Sequence, residues 1–409
     1  MTKPLRILLL CDDHPDHADT LHAHIGGMEQ HSRHQIVRLN PVGIESHPLL
    51  DDLEFFDVIL LHWSLVITFD TYLAPSVRAR IHRASALKVQ FIQDEYRWVD
   101  DITRMMRYLG VEIIYSVAPP DEFDTIYGSR APDARVLPTL TGYVPDALVG
   151  LPAPAASDRP LDIVYRGREL PPWMGRLARE KLEIGRNVER LATARGLQVD
   201  IATAEEARVY GGAWLDFLRS GRATLATPSG SSITDFDGTV QRAVEAHLAD
   251  RPDSSFEELA DRVLAPYEGN VLIDVVSPRI FEAAATRTAL IVFEGRYSEV
   301  LDLRRHAFVL ERDYSNFDEI ADALRDPSVV EGFTTAAYDD LIASGRWAFA
   351  RFVTSFDDEI DCAARRRRAA PWDGPAPDGS ARRPSFALVR SAVGGLTRLT
   401  GYRARHRRT

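Results

Sequence analysis

The apolar positions of this chain fall in short, unbroken runs separated by longer mixed stretches. RILLL (Arg6 to Leu10), Phe56 to Leu61, Val89 to Ile92 and VEIIYSV (Val111 to Val117) lack period-two alternation. Runs of that kind read as strands covered on both faces. Segments such as PSVRARIHRAS and VDDITRMMRYLG lie between them and read as helices. LPTLTGYVPDAL (Leu137 to Leu148) supplies the last strand and turn of this series, and LPAPAASDRP (Leu151 to Pro160) has the composition of a linker. The alternation then restarts with LDIVYRGR, a long helix, LQVDIAT, GRATLAT, TALIVF and HAFVL. Alternation of strand and helix builds a doubly wound parallel sheet. The expected fold class is therefore α/β, with two Rossmann-like domains over residues 1–150 and 161–333 joined by the linker 151–160. An Asn316/Glu319 capping box should open a late helix. A single amphipathic helix with aromatic anchors Trp347, Phe349, Phe352 and Phe356 is expected over 334–362, followed by a basic tail over 363–409.

Composition narrows the picture. At 409 residues, 45% hydrophobic and 27% charged, the chain suits two ordinary soluble domains. Its opening, MTKPLRILLLCDD, is too short an apolar run for a signal peptide or a membrane span, and the two cysteines at opposite ends point to a reducing, cytoplasmic setting. The two cysteines, Cys11 and Cys362, show no metal-ligand spacing, and no zinc site is expected. The net charge of −11 is uneven: from Ala363 onward twelve arginines face Asp373 and Asp378, leaving about −21 on the body. An acidic body argues against nucleic acid as a partner. In the tail, ARRRRAAPWDGPAPDGSARRP has too little apolar surface to fold. SFALVRSAVGGLTRLTGYRARHRRT can set Phe386, Val389, Val393 and Leu396 among arginines, either as a peripheral contact with an anionic membrane or as a solvated basic tail.

Candidate chemistry gathers around SPRIFEAAATRTALIVFE (Ser277 to Glu294). Ser277 and Pro278 form a helix start. Arg279 in the first turn opposes the helix dipole unless helix end and guanidinium share an anion, most simply a phosphate. Glu282, about a turn on, could accept hydrogen bonds from sugar hydroxyls. Arg166, Gly167 and Arg168 follow a strand directly, with Lys181 further on, and suit a phosphate. Ser229, Gly230, Ser231 and Ser232 offer unobstructed N–H groups and hydroxyls for a nucleotide. Asp235 follows close after them. In the first half, Gln93-Asp94-Glu95-Tyr96-Arg97 follows a buried strand, and either faces a cleft with acid/base groups or forms an internal Asp94/Glu95–Arg97 salt-bridge set. The acidic pair Asp12-Asp13 resembles the opening of a response-regulator receiver domain, but His62 stands where such a domain needs its phosphoacceptor aspartate.

RIFEAAATRTALIV resembles the F-E-A-x-A-x-G helix of bacterial group 1 glycosyltransferases with the GT-B fold, although Thr286 and Arg287 replace the usual ending. The resemblance implies a nucleotide-diphosphate sugar donor (UDP, GDP or dTDP), retained configuration and no metal requirement. By that likeness Glu282 would hold the ribose, Arg166, Arg168, Lys181 and Arg279 would hold the diphosphate, and Asp274, eight positions before Glu282, would lie near the sugar, with Asp235 competing for that place. Asp94 or Glu95 would orient the acceptor hydroxyl, and a C-terminal helix would cross back to the first domain. Expected partners are the nucleotide sugar and a glycan or lipid-linked acceptor of surface-polysaccharide assembly, with no nucleic acid. Two alternatives stand beside this reading, a GT-B-type sugar-nucleotide epimerase and a non-catalytic nucleotide-sugar-binding protein.

Overall fold

The computed structural model describes residues 3–369. Its first sheet has six parallel strands, β1 (Arg6–Leu10), β2 (Gln35–Leu39), β3 (Val58–Leu61), β4 (Leu87–Ile92), β5 (Ile113–Ser116) and β6 (Arg135–Pro138). Their order is β2-β1-β3-β4-β5-β6, so the winding reverses between β1 and β3. Successive side chains point to opposite faces of the sheet. Leu8, Leu10, Ile59 and Leu61 accordingly enter one core, while Ile7, Leu9, Val58 and Leu60 enter the other. Burial on both faces explains why these strands show no alternation in sequence.

The chain continues into β7 (Leu161–Arg166), β8 (Val199–Ala202), β9 (Gly221–Ala226), β10 (Ser229–Ser231), β11 (Ile273–Val275), β12 (Ala289–Val292) and β13 (Ala307–Val309). Five of these form the second parallel sheet in the order β13-β12-β9-β7-β8. β10 and β11 pair apart from it, antiparallel, with Gly230 opposite Asp274. The serine-rich stretch read as an open loop is therefore a strand. Gly230 has φ 129, and a Cβ there would stand 2.1 Å from the Ile273 carbonyl oxygen, so the pairing needs glycine. Val271, Ile273 and Val275 pack into the first domain's core beside Ile92, Ile114 and Ala118. β11 thus belongs to the second domain by chain order and to the first by packing, while β10 stays with the second, where Ser229 meets Lys181.

The expected long helix over 334–362 is two helices, Pro327–Tyr338 and Phe349–Ala369, with a wide turn at Asp339–Ala343 between them. Gly345 at φ 65 breaks the run, and the backbone then bridges Val144: Val144 N donates to Trp347 O (2.9 Å) and Phe349 N to Val144 O (3.1 Å). The last helix crosses back, and Phe349, Phe352, Val353, Phe356 and Ile360 cover the first sheet. Asp357 accepts from Ser32 Oγ and Arg33 N, both 2.8 Å. The Asn316/Glu319 capping box does not form, because Asn316 Oδ1 accepts from Glu311 N and its Nδ2 donates to Val309 O. Among the described residues no helix is long and apolar enough to cross a membrane. The expectations of disorder and membrane contact fall mainly on residues 370–409, outside those described.

Candidate functional site

Three cations converge where the second sheet's strands end. β7 runs out at Arg166, and the loop beyond it carries Arg168. The Arg176–Ala194 helix presents Lys181, and the Pro278–Ala285 helix presents Arg279 in its first turn. That helix starts as its sequence indicates, with Ser277 Oγ accepting from Arg279 N (3.4 Å) and Pro278 at the first position. Lys181 Nζ donates to Ser229 Oγ (3.0 Å). Arg279 Nη1 donates to the Arg166 carbonyl oxygen (2.5 Å), and its guanidinium lies 4.8 Å from the Trp214 ring centre. Among the described residues no carboxylate forms an ion pair with Arg168, Lys181 or Arg279. Burial, and then Arg168 and Arg279, push the Lys181 amine down to about 7. Burial likewise lowers Arg168, with Arg208 and Arg279 adding to it against the opposite pull of Tyr96 and Glu205. The arrangement has the charge and shape to hold an anion.

Glu282 sits three residues beyond Arg279, on the same helix face. Trp214 Nε1 donates to its Oε2 (2.6 Å). Burial raises this carboxyl above its ordinary range, while Trp214 and Arg279 pull it down and Asp19 of the first domain pushes it up. Asp19 also stands 3.8 Å from where a Cβ on Gly211 would be, so the helix that carries Trp214 starts beside the first domain. Trp214 was not singled out by sequence reasoning; its signal is a buried indole, whose N–H needs an acceptor.

Several expected site residues are committed elsewhere. Arg166 forms a two-point pair with Asp200 (2.8 and 3.0 Å), donates from Nε to Ala207 O (2.9 Å) and stacks 4.1 Å over Phe217. Its side chain is thus outside the cluster. Asp235 is buried and caps the Thr239–Asp250 helix through Val240 N (3.2 Å) and Gln241 N (2.9 Å). Its backbone also stitches the domains, since Asp235 N donates to Tyr96 O and Trp98 N to Asp235 O. Asp274 is held by Arg296 Nε at 2.6 Å. Neither carboxylate is left for a sugar. Of the serine-rich segment only Ser229 touches the cations; Gly230 faces the Ile273 carbonyl, and the Ser231 hydroxyl is buried without a partner.

In the first domain Asp94 and Glu95 part company. The Asp94 carboxyl accepts from Tyr96 OH (2.7 Å); burial raises its pKa, and Arg97 and Arg168 pull it back. It is the member of the pair near enough to Arg168 to feel its charge. Glu95 points into the domain, accepting from Ser116 Oγ (2.6 Å), Val117 N (3.1 Å) and Tyr127 OH (3.3 Å). Burial lifts it to about 7. An acid/base role at the cleft does not fit that direction. The internal Asp94/Glu95–Arg97 salt-bridge set is also absent, because Arg97 lies 3.8 Å over Trp98 and 5.2 Å from Trp173 of the second domain. Asp12 meets His17 at 2.8 Å on the edge of the same sheet, a pair that sequence reasoning did not single out. Among the described residues no group of three or more His, Cys, Asp and Glu is arranged to hold a metal ion.

No protein-family model matches the chain, and no curated protein matches it in sequence. Solved structures do match. One is an alpha-glucosyltransferase in complex with UDP-glucose and DNA containing an abasic site, at TM-score 0.53 and 9% identity, covering 88% of this chain and 99% of that one. Another is an alpha-glucosyltransferase with UDP and a 13-mer DNA containing an HMU base, at TM-score 0.51, 9% identity and the same coverage. The chain has the GT-B fold. The likeness is one of fold, and it bears out the resemblance to GT-B glycosyltransferases. It also overturns one expectation, because both of these GT-B structures hold DNA and the exclusion of nucleic acid as a partner fails. Net charge sums over a whole surface, so an acidic body does not report on the potential at one cleft.

Proposed function

We propose that this chain transfers a sugar from a nucleotide-diphosphate sugar to an acceptor hydroxyl, with retained configuration and without a metal. The observation that carries the reading is the meeting of Arg168, Lys181 and Arg279 without an ion-paired carboxylate among the described residues. A diphosphate supplies the missing charge. As the sugar leaves it, the negative charge that develops on the leaving oxygens is met by donors already in place, which lowers the barrier. Glu282, fixed by Trp214, is the acceptor of ribose hydroxyls. Asp94 stands on the opposite side and orients the incoming hydroxyl. UDP, GDP and dTDP are the candidate carriers. A hydroxyl borne on nucleic acid is included among the acceptors because the two alpha-glucosyltransferases of this fold are bound to DNA.

The test is thermal-shift and calorimetric screening against UDP-, GDP-, dTDP- and CMP-sugars with EDTA present, then turnover assays on saccharide and DNA acceptors. A rise of several degrees with one nucleotide diphosphate is expected, followed by transfer with the anomeric configuration kept. Turnover of the nucleotide sugar with no acceptor would favour an epimerase. Binding with neither transfer nor hydrolysis would favour a non-catalytic protein.

A further inference from the structure

We propose that a nucleotide diphosphate enters this cleft together with one proton, taken up by the amine of Lys181. The inference rests on the donor-binding reading above and adds a regulation to it, a dependence of donor affinity on pH.

The geometry comes first. Lys181 packs against the turn that carries Arg168, since a Cβ on the neighbouring Gly167 would stand 2.8 Å from the Lys181 carbonyl oxygen, and Arg279 reaches the same turn through the Arg166 carbonyl. β10 offers Lys181 only the neutral Ser229 hydroxyl. The neighbouring carboxylates on its own helix are engaged elsewhere, Glu180 with Arg312 (2.7 Å) and Glu183 with Arg179 (3.3 Å). Tyr165 donates its hydroxyl to the Lys181 carbonyl and so offers no compensating charge. Three like charges at one site repel, and a guanidinium does not shed its proton in a protein. Lys181 is the member of the triad that can relieve the repulsion. Its amine is correspondingly held down to about 7, by burial first and then by the two arginines.

A bound diphosphate reverses each of these influences, since two negative charges beside the amine favour the ammonium form. The step is a simple protonation: the nitrogen lone pair takes a proton from solvent or buffer, and no other bond changes. The sign follows. The lysine pKa is higher in the bound state than in the free state, so affinity is full below about 7. Above that it falls by up to about tenfold per pH unit until the bound-state pKa is passed.

Calorimetry with UDP-, GDP- and dTDP-sugars at pH 8, in two buffers of different ionisation enthalpy, measures the protons exchanged. The diphosphate diester of a nucleotide sugar does not itself titrate in this range. Uptake approaching one proton per nucleotide is expected, with affinity falling as pH rises above about 7, and whatever binding Lys181→Arg retains should show no uptake and a flat pH dependence. Binding without proton uptake, or equal uptake by the arginine variant, overturns the linkage and leaves the donor site standing. No binding of any nucleotide sugar to the intact protein overturns the donor site and the linkage with it.

Discussion

The two sheet edges that face each other across the cleft treat their polar side chains in opposite ways. On the first-domain edge most of them bond one another, although Glu95 Oε2, Trp63 Nε1 and Arg97 Nε are buried without a partner. Asp12 pairs with His17, His62 bridges Ser64 (2.9 Å) and His24 (3.1 Å), and Glu95 accepts from three donors. Asp94 turns towards the other domain. On the second-domain edge Arg168, Lys181 and Arg279 converge with no ion-pair partner among the described residues, and only Asp94 and Glu282, beyond ion-pair distance, offset their repulsion. One edge is largely finished without a ligand; the other is left unfinished, with three cations that no described carboxylate pairs. Substitutions on the second edge should therefore cost binding and spare stability, and those on the first should do the reverse.

The sharpest way to break this comparison is to remove one cation. Arg168→Ala and Arg279→Ala should each weaken nucleotide-sugar binding by about 1.5–3 kcal/mol, roughly 10–150-fold, the scale of hydrogen bonds to charged groups. Arg168→Ala should leave the melting temperature unchanged or slightly higher, since it relieves repulsion without removing a protein hydrogen bond. Calorimetric titration and thermal unfolding of the same samples check both statements. Unchanged affinity in a folded Arg168→Ala protein would remove the carrying observation for function.

Glu95 tests the opposite edge. Its carboxyl is lifted from its ordinary value to about 7 by burial. A carboxyl with a raised folded-state pKa favours the fold when protonated, so its contribution is intact below the unfolded value of about 4.3 and lost as pH rises through 7. The loss is on the order of 3 kcal/mol at alkaline pH. Glu95→Gln should flatten that part of the stability profile between pH 5 and 8 while nucleotide affinity stays within about twofold of the parent. Denaturant unfolding across this range decides it, and a large drop in affinity would return Glu95 to the cleft.

The sequence made the fold readable for a physical reason. Strands buried on both faces show as continuous apolar runs, and the Ser277-Pro278 start marks a helix by cap chemistry alone. The same reasoning missed β10, because three small residues form a strand only by pairing with β11 more than forty residues away. It also missed the break at Gly345, where pairing with Val144 overrides amphipathic continuity. At the site, residue type identified the cations, yet not which of them were free. Arg166 and Arg168 are equivalent in sequence, two arginines flanking one glycine. Strand alternation sends Arg166 towards Asp200 on the neighbouring β8, while Arg168 lies past the strand end. Asp94 and Glu95 divide in the same way after β4. Asp235 and Asp274 could not be ranked because their partners, a helix start and Arg296, lie on other elements.

The contrast between Arg166 and Arg168 supplies the smallest and most discriminating prediction. Arg166→Met keeps an apolar stem over Phe217 and removes the guanidinium from Asp200. The Asp200 side chain is 45% exposed, so water can take over its carboxylate, and the full penalty of a stranded buried charge does not apply. A loss of about 1–2 kcal/mol is expected, a few degrees of melting temperature in a protein of this size. Nucleotide affinity should change by less than about threefold, because Arg279 is held by the Arg166 carbonyl, which the substitution leaves in place. If Arg166→Met instead weakened binding as strongly as Arg168→Ala, the Asp200 pair would have to open on donor entry. The second-domain edge would then carry four usable cations, and the division between finished and unfinished edges would run through β7 rather than beyond it.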